Sequence, residues 1–280
     1  VAIDLSRLAF DQPWIQQPVF LVGMGDSITA GFGASPGFGY FDRLVVSPPE
    51  DFPDMRGIHL SRVLPQLRTT NLAISGSTSL QLERVQLPRL PRQDEAVLGL
   101  VVLTIGGNDL IHNYGQTPPV EGAMYRSTWE QAQPWLRNFE SRIDRILMGI
   151  QAAFPGGSHI FLANIYDPSD ATGDLRWVWM PAWPDGLRLH AAYNNILRQA
   201  ADRYPRVHRV DIYQPFLGHG LFCTQFWRPH YDRRDPHYWY LENVEDPNDR
   251  GYDAIRRLFL NAMVQHLAAP NHLPTPPAPR

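Results

Sequence analysis

The chain has 280 residues, 28 acidic and 25 basic, for a formal net charge of -3, and 44% of its residues are hydrophobic. All 25 bases are arginine, which excludes Schiff-base amines, Ser-Lys dyads and P-loop or kinase-type lysines. The single cysteine, Cys223, excludes internal disulfides and thiolate-rich metal sites, and no apolar run approaches the ~18 residues of a membrane span.

Five short apolar runs, at 19–24, 70–74, 97–105, 159–165 and 207–212, are rich in Val, Ile and Leu without polar alternation, the pattern of parallel strands buried on both faces. Between them lie helical segments. In 129–154 the residues Trp135, Phe139, Ile143, Ile146, Leu147 and Ile150 recur every three or four positions, and Pro155 supplies the stop. Segments 187–204 and 252–267 are two more. Strand and helix in alternation predict a single α/β domain over 1–268 with a doubly wound parallel sheet, followed by a Pro-rich flexible tail at 269–280. In such sheets ligands sit beyond the C-terminal ends of the strands. The basic residues are dispersed, with Arg233-Arg234 and Arg256-Arg257 expected as solvated surface, so no nucleic-acid footprint is present.

Three polar blocks follow the first three strands: Gly25-Asp26-Ser27-Ile28-Thr29, Asn71-Leu72-Ala73-Ile74-Ser75-Gly76, and Gly106-Gly107-Asn108-Asp109. A serine attacking an acyl carbon generates an oxyanion that needs hydrogen-bond donors fixed in advance. The Ser27 and Gly76 backbone N–H groups and the Asn108 carboxamide would supply three, with glycine at 76 permitting close approach of backbone to substrate. Asp26 and Asp109 are expected to hold their loops by hydrogen bonds to backbone. Metal and dinucleotide motifs are poorly matched: there is no His-Glu-x-x-His, and Gly23-x-Gly25 lacks its third small residue.

In these blocks, their order and their spacing, the sequence resembles the SGNH hydrolase superfamily of GDSL esterases and lipases. The resemblance implies a three-layer flavodoxin-like fold on a five-stranded sheet, Ser27 as nucleophile, Gly76 and Asn108 in the oxyanion hole, a small-molecule ester as substrate, and no cofactor or metal. It weakens at the last block. The family pattern Asp-x-x-His-Pro-Asn-x-x-Gly-Tyr corresponds here to Asn243 through Tyr252, with Asp246 where the histidine belongs.

The base is therefore sought among the remaining histidines. His159 and His208 begin strands at the wrong end of the sheet, His190 and His266 lie in helices, and His112 could line the cleft. His237, in Asp235-Pro236-His237, is the expected base, with Asp235 orienting its Nδ1–H. His219 and His230 remain alternatives for the base, and Asp232 and Asp246 for the orienting acid. Trp177, Trp179 and Trp183, after strand four, either floor an acyl or sugar pocket or close a satellite core. The expected activity is ester hydrolysis through an acyl-enzyme. The alternatives are a carbohydrate O-acetyl esterase or acyltransferase on the same site and a non-catalytic ligand-binding relative. The start at Val1 and the family's frequent export give the expectation of a secreted or periplasmic location.

Overall fold

The computed structural model of the chain describes residues 3, 5–111 and 125–268. Five parallel strands form one sheet: β1 (Val19–Gly25), β2 (Leu67–Asn71), β3 (Leu98–Thr104), β4 (Ser158–Ala163) and β5 (Val207–Val210). Their spatial order is β2-β1-β3-β4-β5, so the winding reverses between β1 and β3 and opens a crevice at their C-terminal ends. The expected second strand, 70–74, is displaced toward its N-terminus. β2 is an edge strand that pairs only with β1, and at Asn71 the chain leaves the sheet because the Asn71 carboxamide donates to Thr29 O (2.8 Å) and accepts from Ala73 N (3.1 Å).

The helices that cover the sheet or start at strand ends are α1 (Ser27–Ala30), α2 (Tyr40–Val45), α3 (Gly107–Ile111), α4 (Trp129–Ala153), α5 (Gly186–Arg203) and α6 (Asp249–Leu267). Alternation along a strand sends successive side chains to opposite faces. Val19 and Leu21 of β1, with Leu98, Leu100 and Val102 of β3, pack against α2 and α6. Phe20, Val22 and Met24, with Val101 and Leu103, pack against α4 and α5. The result is the three-layer α/β/α arrangement. α4 is started by a Thr128/Gln131 capping box. α6 is started by Asn248, whose side chain accepts from Arg250 N and Gly251 N, so Asp246-Pro247-Asn248 is the turn that launches this helix. Among the described residues no helix is long and apolar enough to cross a membrane.

The dibasic pair Arg256-Arg257 is not solvated surface. Both guanidinium groups are buried in α6, where Asp51 and Asp253 take Arg256, and Asp253 and Asp54 take Arg257. Helical periodicity explains the difference: Asp253 lies three and four residues earlier and meets both arginines on the core side of the helix. Arg233 and Arg234 are exposed as expected.

Candidate active site

The three polar blocks converge at the C-terminal ends of β1, β2 and β3, on either side of the strand-order reversal. At the end of β1, Gly25 has φ 128°, and a Cβ there would lie 1.9 Å from Thr104 O, so only glycine allows β1 and β3 to approach this closely. The Asp26 side chain then caps α1, accepting from Ile28 N (3.2 Å) and from the Thr104 hydroxyl (2.8 Å). Ser27 is the first residue of α1. Burial, opposed by those hydrogen bonds and reinforced by the negative charges of Asp246 and Asp109, pushes the Asp26 carboxyl up to about 7.

The second and third blocks are tied to the first by buried side chains. The Gln86 carboxamide accepts from Gly25 N (2.9 Å) and donates to Gly25 O (2.7 Å) and Ser77 Oγ (3.0 Å). Gly76 has φ 79°, and a Cβ added there would meet nothing within 4 Å, so its backbone faces open space. Asn108 Nδ2 donates to Ser77 O (3.1 Å), which fixes the carboxamide and leaves it a second N–H. Asp109 accepts from Ser79 N (2.8 Å) and Ser79 Oγ (2.5 Å), and Arg142 donates to the same hydroxyl (2.9 Å). Burial raises the Asp109 carboxyl to about 6 despite these donors. Asp26 and Asp109 thus hold their loops through backbone N–H groups, as their positions beside Ser27 and Asn108 suggested. Gln86 and Arg142 carry no local sequence signal: the first comes from an irregular helical segment and the second from mid-α4.

Ser27 and Asn108 open into a cavity of about 420 Å³ with largely apolar walls. Ile105, Leu110, Leu175, Val178, Met180 and Trp183 are among them. Trp183 is tied down by donating to Ser127 O (2.8 Å) and packs on Tyr125, so it floors the cavity, whereas Trp179 is 95% exposed. Asn243, Val244 and Glu245 form another part of the wall. The Tyr252 hydroxyl, from α6, donates to Phe32 O (2.7 Å) and lies 3.5 Å from Ser27 O, pinning the α1 loop to the last helix.

The expected base and its acid do meet each other. His237 Nδ1 and Asp235 Oδ1 are 2.6 Å apart, and Arg250 donates to the same oxygen from Nε (3.1 Å) and Nη2 (2.8 Å). Burial would raise the Asp235 carboxyl, but Arg250 and His237 outweigh it and hold it below its ordinary value. The His237 side chain is 58% exposed, and neither His237 nor Asp235 lines the cavity that Ser27 shares with Asn108. His219 is buried, stacked on Trp239 at 3.5 Å, with Nδ1 donating to His237 O (3.1 Å), so it braces this loop. His230 is half-buried and is not a wall of the cavity either. His190 is a wall residue, but its Nε2 is committed to Ile165 O (2.9 Å). His112 lies outside the described residues.

Position 246 is the counterpart of the family histidine, and it holds a buried acid. Asn243 Nδ2 donates to Asp246 Oδ2 (2.7 Å), and among the described residues Asp246 Oδ1 has no hydrogen-bond partner. No arginine pairs with it among the described residues.

The three-layer fold, with its sheet of order 2-1-3-4-5, thus carries a serine, a glycine and an asparagine at three successive strand ends. The family model for the GDSL-like lipase/acylhydrolase family matches residues 24–254, and the chain belongs to that family. No curated protein matches it. Among solved structures, LAE5, an alpha/beta hydrolase enzyme from the metagenome of Lake Arreo, Spain, is similar with a TM-score of 0.53 and 17% identity, over 91% of this chain and 99% of the other. Axe2, an acetylxylan esterase from Geobacillus stearothermophilus, has a TM-score of 0.54 and 18% identity, over 89% of this chain and 95% of the other. A member of the lipolytic protein G-D-S-L family from Veillonella parvula DSM 2008 has 0.52 and 12%, over 88% and 99%. At these identities the likeness is one of fold.

Proposed function

We propose that the protein hydrolyses carboxylic esters bearing an apolar acyl group, with Ser27 as the nucleophile of an acyl-enzyme mechanism. The observation that carries this reading is the shared position of Ser27 and Asn108 on the wall of a largely apolar cavity, with the open left-handed Gly76 held to the same serine loop through Gln86. Attack by Ser27 Oγ on the ester carbonyl would place negative charge on the carbonyl oxygen. The Ser27 N–H, the Gly76 N–H and the second N–H of Asn108 are the donors proposed to hold it, each worth ~3 kcal/mol of barrier in comparable sites. The Asp235–His237 pair has the internal hydrogen bond of a base and its orienting acid, which supports it as one source of the proton acceptor. Its exposure and its absence from the cavity wall leave room for another.

The substrate reading follows from the walls. A cavity of 420 Å³ is about fourteen water volumes at ~30 Å³ each, room for on the order of ten methylene-sized groups, and Leu110, Leu175, Val178, Met180 and Trp183 offer few polar partners to a sugar. Hydrolysis of acetylated carbohydrate, as in the acetylxylan esterase named above, is therefore the second reading. The test is a series of nitrophenyl esters from acetate to laurate, together with fluorophosphonate labelling. The expected result is labelling at Ser27, kcat/KM highest for a medium-length acyl chain, and a loss of about 10²–10³ in kcat for Asn108→Ala. An unlabelled Ser27 with no ester cleaved between pH 5 and 9 would make the chain a non-catalytic relative.

A further inference from the structure

We propose that Val244 sets how long an acyl chain the cavity takes, a branched side chain kept at the wall despite a strained backbone. The proposal rests on the ester-hydrolase reading and adds to it the residue that fixes acyl specificity.

The strain is the first observation. Val244 has φ 57°, and among the described residues it is the only β-branched side chain held in the left-handed region. Glycine takes this conformation freely, whereas a branched Cβ crowds the neighbouring carbonyl. The turn around Val244 shows why the backbone must adopt it. Tyr240 and Pro247 form an antiparallel bridge, Val244 N donates to Leu241 O (3.1 Å), and Leu241 N donates to Asp246 O (2.7 Å). The Asn243 carboxamide fastens the return, accepting from Glu245 N (3.1 Å) and Asp246 N (3.2 Å) and donating to Asp246 Oδ2 (2.7 Å). Every one of these bonds is made by backbone or by the side chains of Asn243 and Asp246, so a glycine at 244 would keep them all. The fourth place of such a turn is one that favours glycine. The turn therefore has no need of valine, and a strained residue that local bonding does not require points to a role for its side chain.

Position supplies that role. Val244 is half-buried and lines the cavity that Ser27 shares with Asn108. Of the four residues that this turn gives to the wall, Glu242, Asn243, Val244 and Glu245, it is the apolar one. The turn is anchored at two places beside the cleft. Leu241 packs against Gly33, where a Cβ would lie 2.2 Å from the leucine Cδ1, and Gly33 follows the helix that Ser27 starts. Tyr166, after β4, donates its hydroxyl to Glu245 O. Val244 is thus held between the loop of the nucleophile and the end of β4, whose following segment supplies Leu175, Val178 and Met180 to the same apolar cavity.

A wall fastened in this way resists displacement by a longer chain, so the bulk of the side chain at 244 translates into the acyl length admitted. The substrate class that follows is esters of straight-chain acids of medium length. A single methylene that fits or fails to fit a rigid apolar pocket changes specificity by about 10–200-fold.

The experiment measures kcat/KM for straight-chain nitrophenyl esters from acetate to palmitate, and binding of the free straight-chain carboxylates by calorimetry. Wild type is compared with Val244→Gly, Val244→Asn and Val244→Phe, each followed by thermal melt. Val244→Gly should move the optimum about two carbons longer and raise the laurate-to-hexanoate ratio of kcat/KM about tenfold, and Val244→Phe should lower that ratio about tenfold. Because glycine and asparagine relieve the strain, both variants should melt no lower than wild type and up to about 3 °C higher. A ratio in Val244→Gly within about twofold of wild type overturns the proposal. So does a melting temperature about 3 °C or more below wild type in both Val244→Gly and Val244→Asn, which would assign the side chain to packing. Should Val244→Phe fail to fold, Val244→Gly decides alone. An inert wild type with Ser27 unlabelled fails the ester-hydrolase reading itself, and the carboxylate-binding profile of the same variants then decides the role of Val244 separately.

Discussion

Replacing Asp253 by asparagine probes the ionic cluster that the dibasic sequence conceals. The Asp253 carboxylate contacts Arg256, bonds Arg257 Nε at 2.7 Å and stands 3.9 Å from Arg43 Nη1. Asp51 takes the other side of Arg256, and Asp54 holds Arg257 at 2.5 and 3.1 Å. The cluster therefore balances three guanidinium groups, all nearly inaccessible to solvent, against three carboxylates. Asp253→Asn keeps the shape of the side chain and leaves one buried positive charge uncompensated, and a guanidinium cannot relieve it by losing a proton. Breaking a buried pair in this way costs about 3–5 kcal/mol. An unfolding entropy of ~2.1 cal/mol/K per residue gives roughly 0.6 kcal/mol/K for 280 residues, so the melting temperature should fall by about 5–8 °C. Thermal unfolding followed by far-UV circular dichroism at pH 7 measures this, repeated at low and high salt. Because Asp253 and the three guanidinium groups are buried, the drop should be nearly independent of salt. A shift under about 2 °C, or one that vanishes in salt, would mean the charges are solvated and would refute the reasoning.

Gly76→Ala should separate fold from activity: the left-handed φ of 79° costs an alanine ~1–2 kcal/mol, or roughly 2–3 °C, and no neighbour stands within 4 Å of the new methyl. That methyl enters the space proposed for the oxyanion, so ester turnover should fall at least about tenfold, and undiminished turnover in the Gly76→Ala protein would remove Gly76 from the oxyanion hole. Acid stability should depend on the histidine stack at the opposite end of the sheet, where His159 Nδ1 meets His208 Nε2 at 2.8 Å and His208 stacks on His266 at 3.8 Å. Burial, then neighbouring positive charge, lowers His159 and His208 to about 4, so the unfolded chain binds protons first. The stability they contribute is complete above ~6.5 and is lost as pH falls toward 4. Urea unfolding at pH 7 and pH 4.5 should show a smaller acid loss for His208→Phe than for wild type, and parallel losses would count against the assignment.

Much of the fold was legible because burial on both faces leaves uninterrupted apolar runs. β1, β3 and β4 read as such, and the period of α4 marked its buried face from Phe139 to Ile150. β2 was misplaced because an edge strand with exposed side chains carries no apolar run, and what sets its end is the Asn71 carboxamide reaching back to Thr29. The strand-end placement of the blocks that hold Ser27, Gly76 and Asn108 was legible for a related reason: turns at strand ends require glycine and polar residues at fixed positions, and three such blocks in order form a strong signal.

Sequence alone thus determined the α/β class, the strand-end blocks and the absence of any lysine chemistry, because each depends on local composition and spacing. Which groups stand together around Ser27 was decided only by tertiary structure. Spacing along the chain paired His237 with Asp235, and they do bond, but Arg250 from α6 joins them and the imidazole is exposed. Asp246, nine residues on, is instead buried just ahead of the turn that Asn248 caps at the start of α6. The same packing turned Arg256-Arg257 from expected surface into a buried cluster, since burial is set by what faces a helix across the fold, and that cannot be seen from the two arginines themselves.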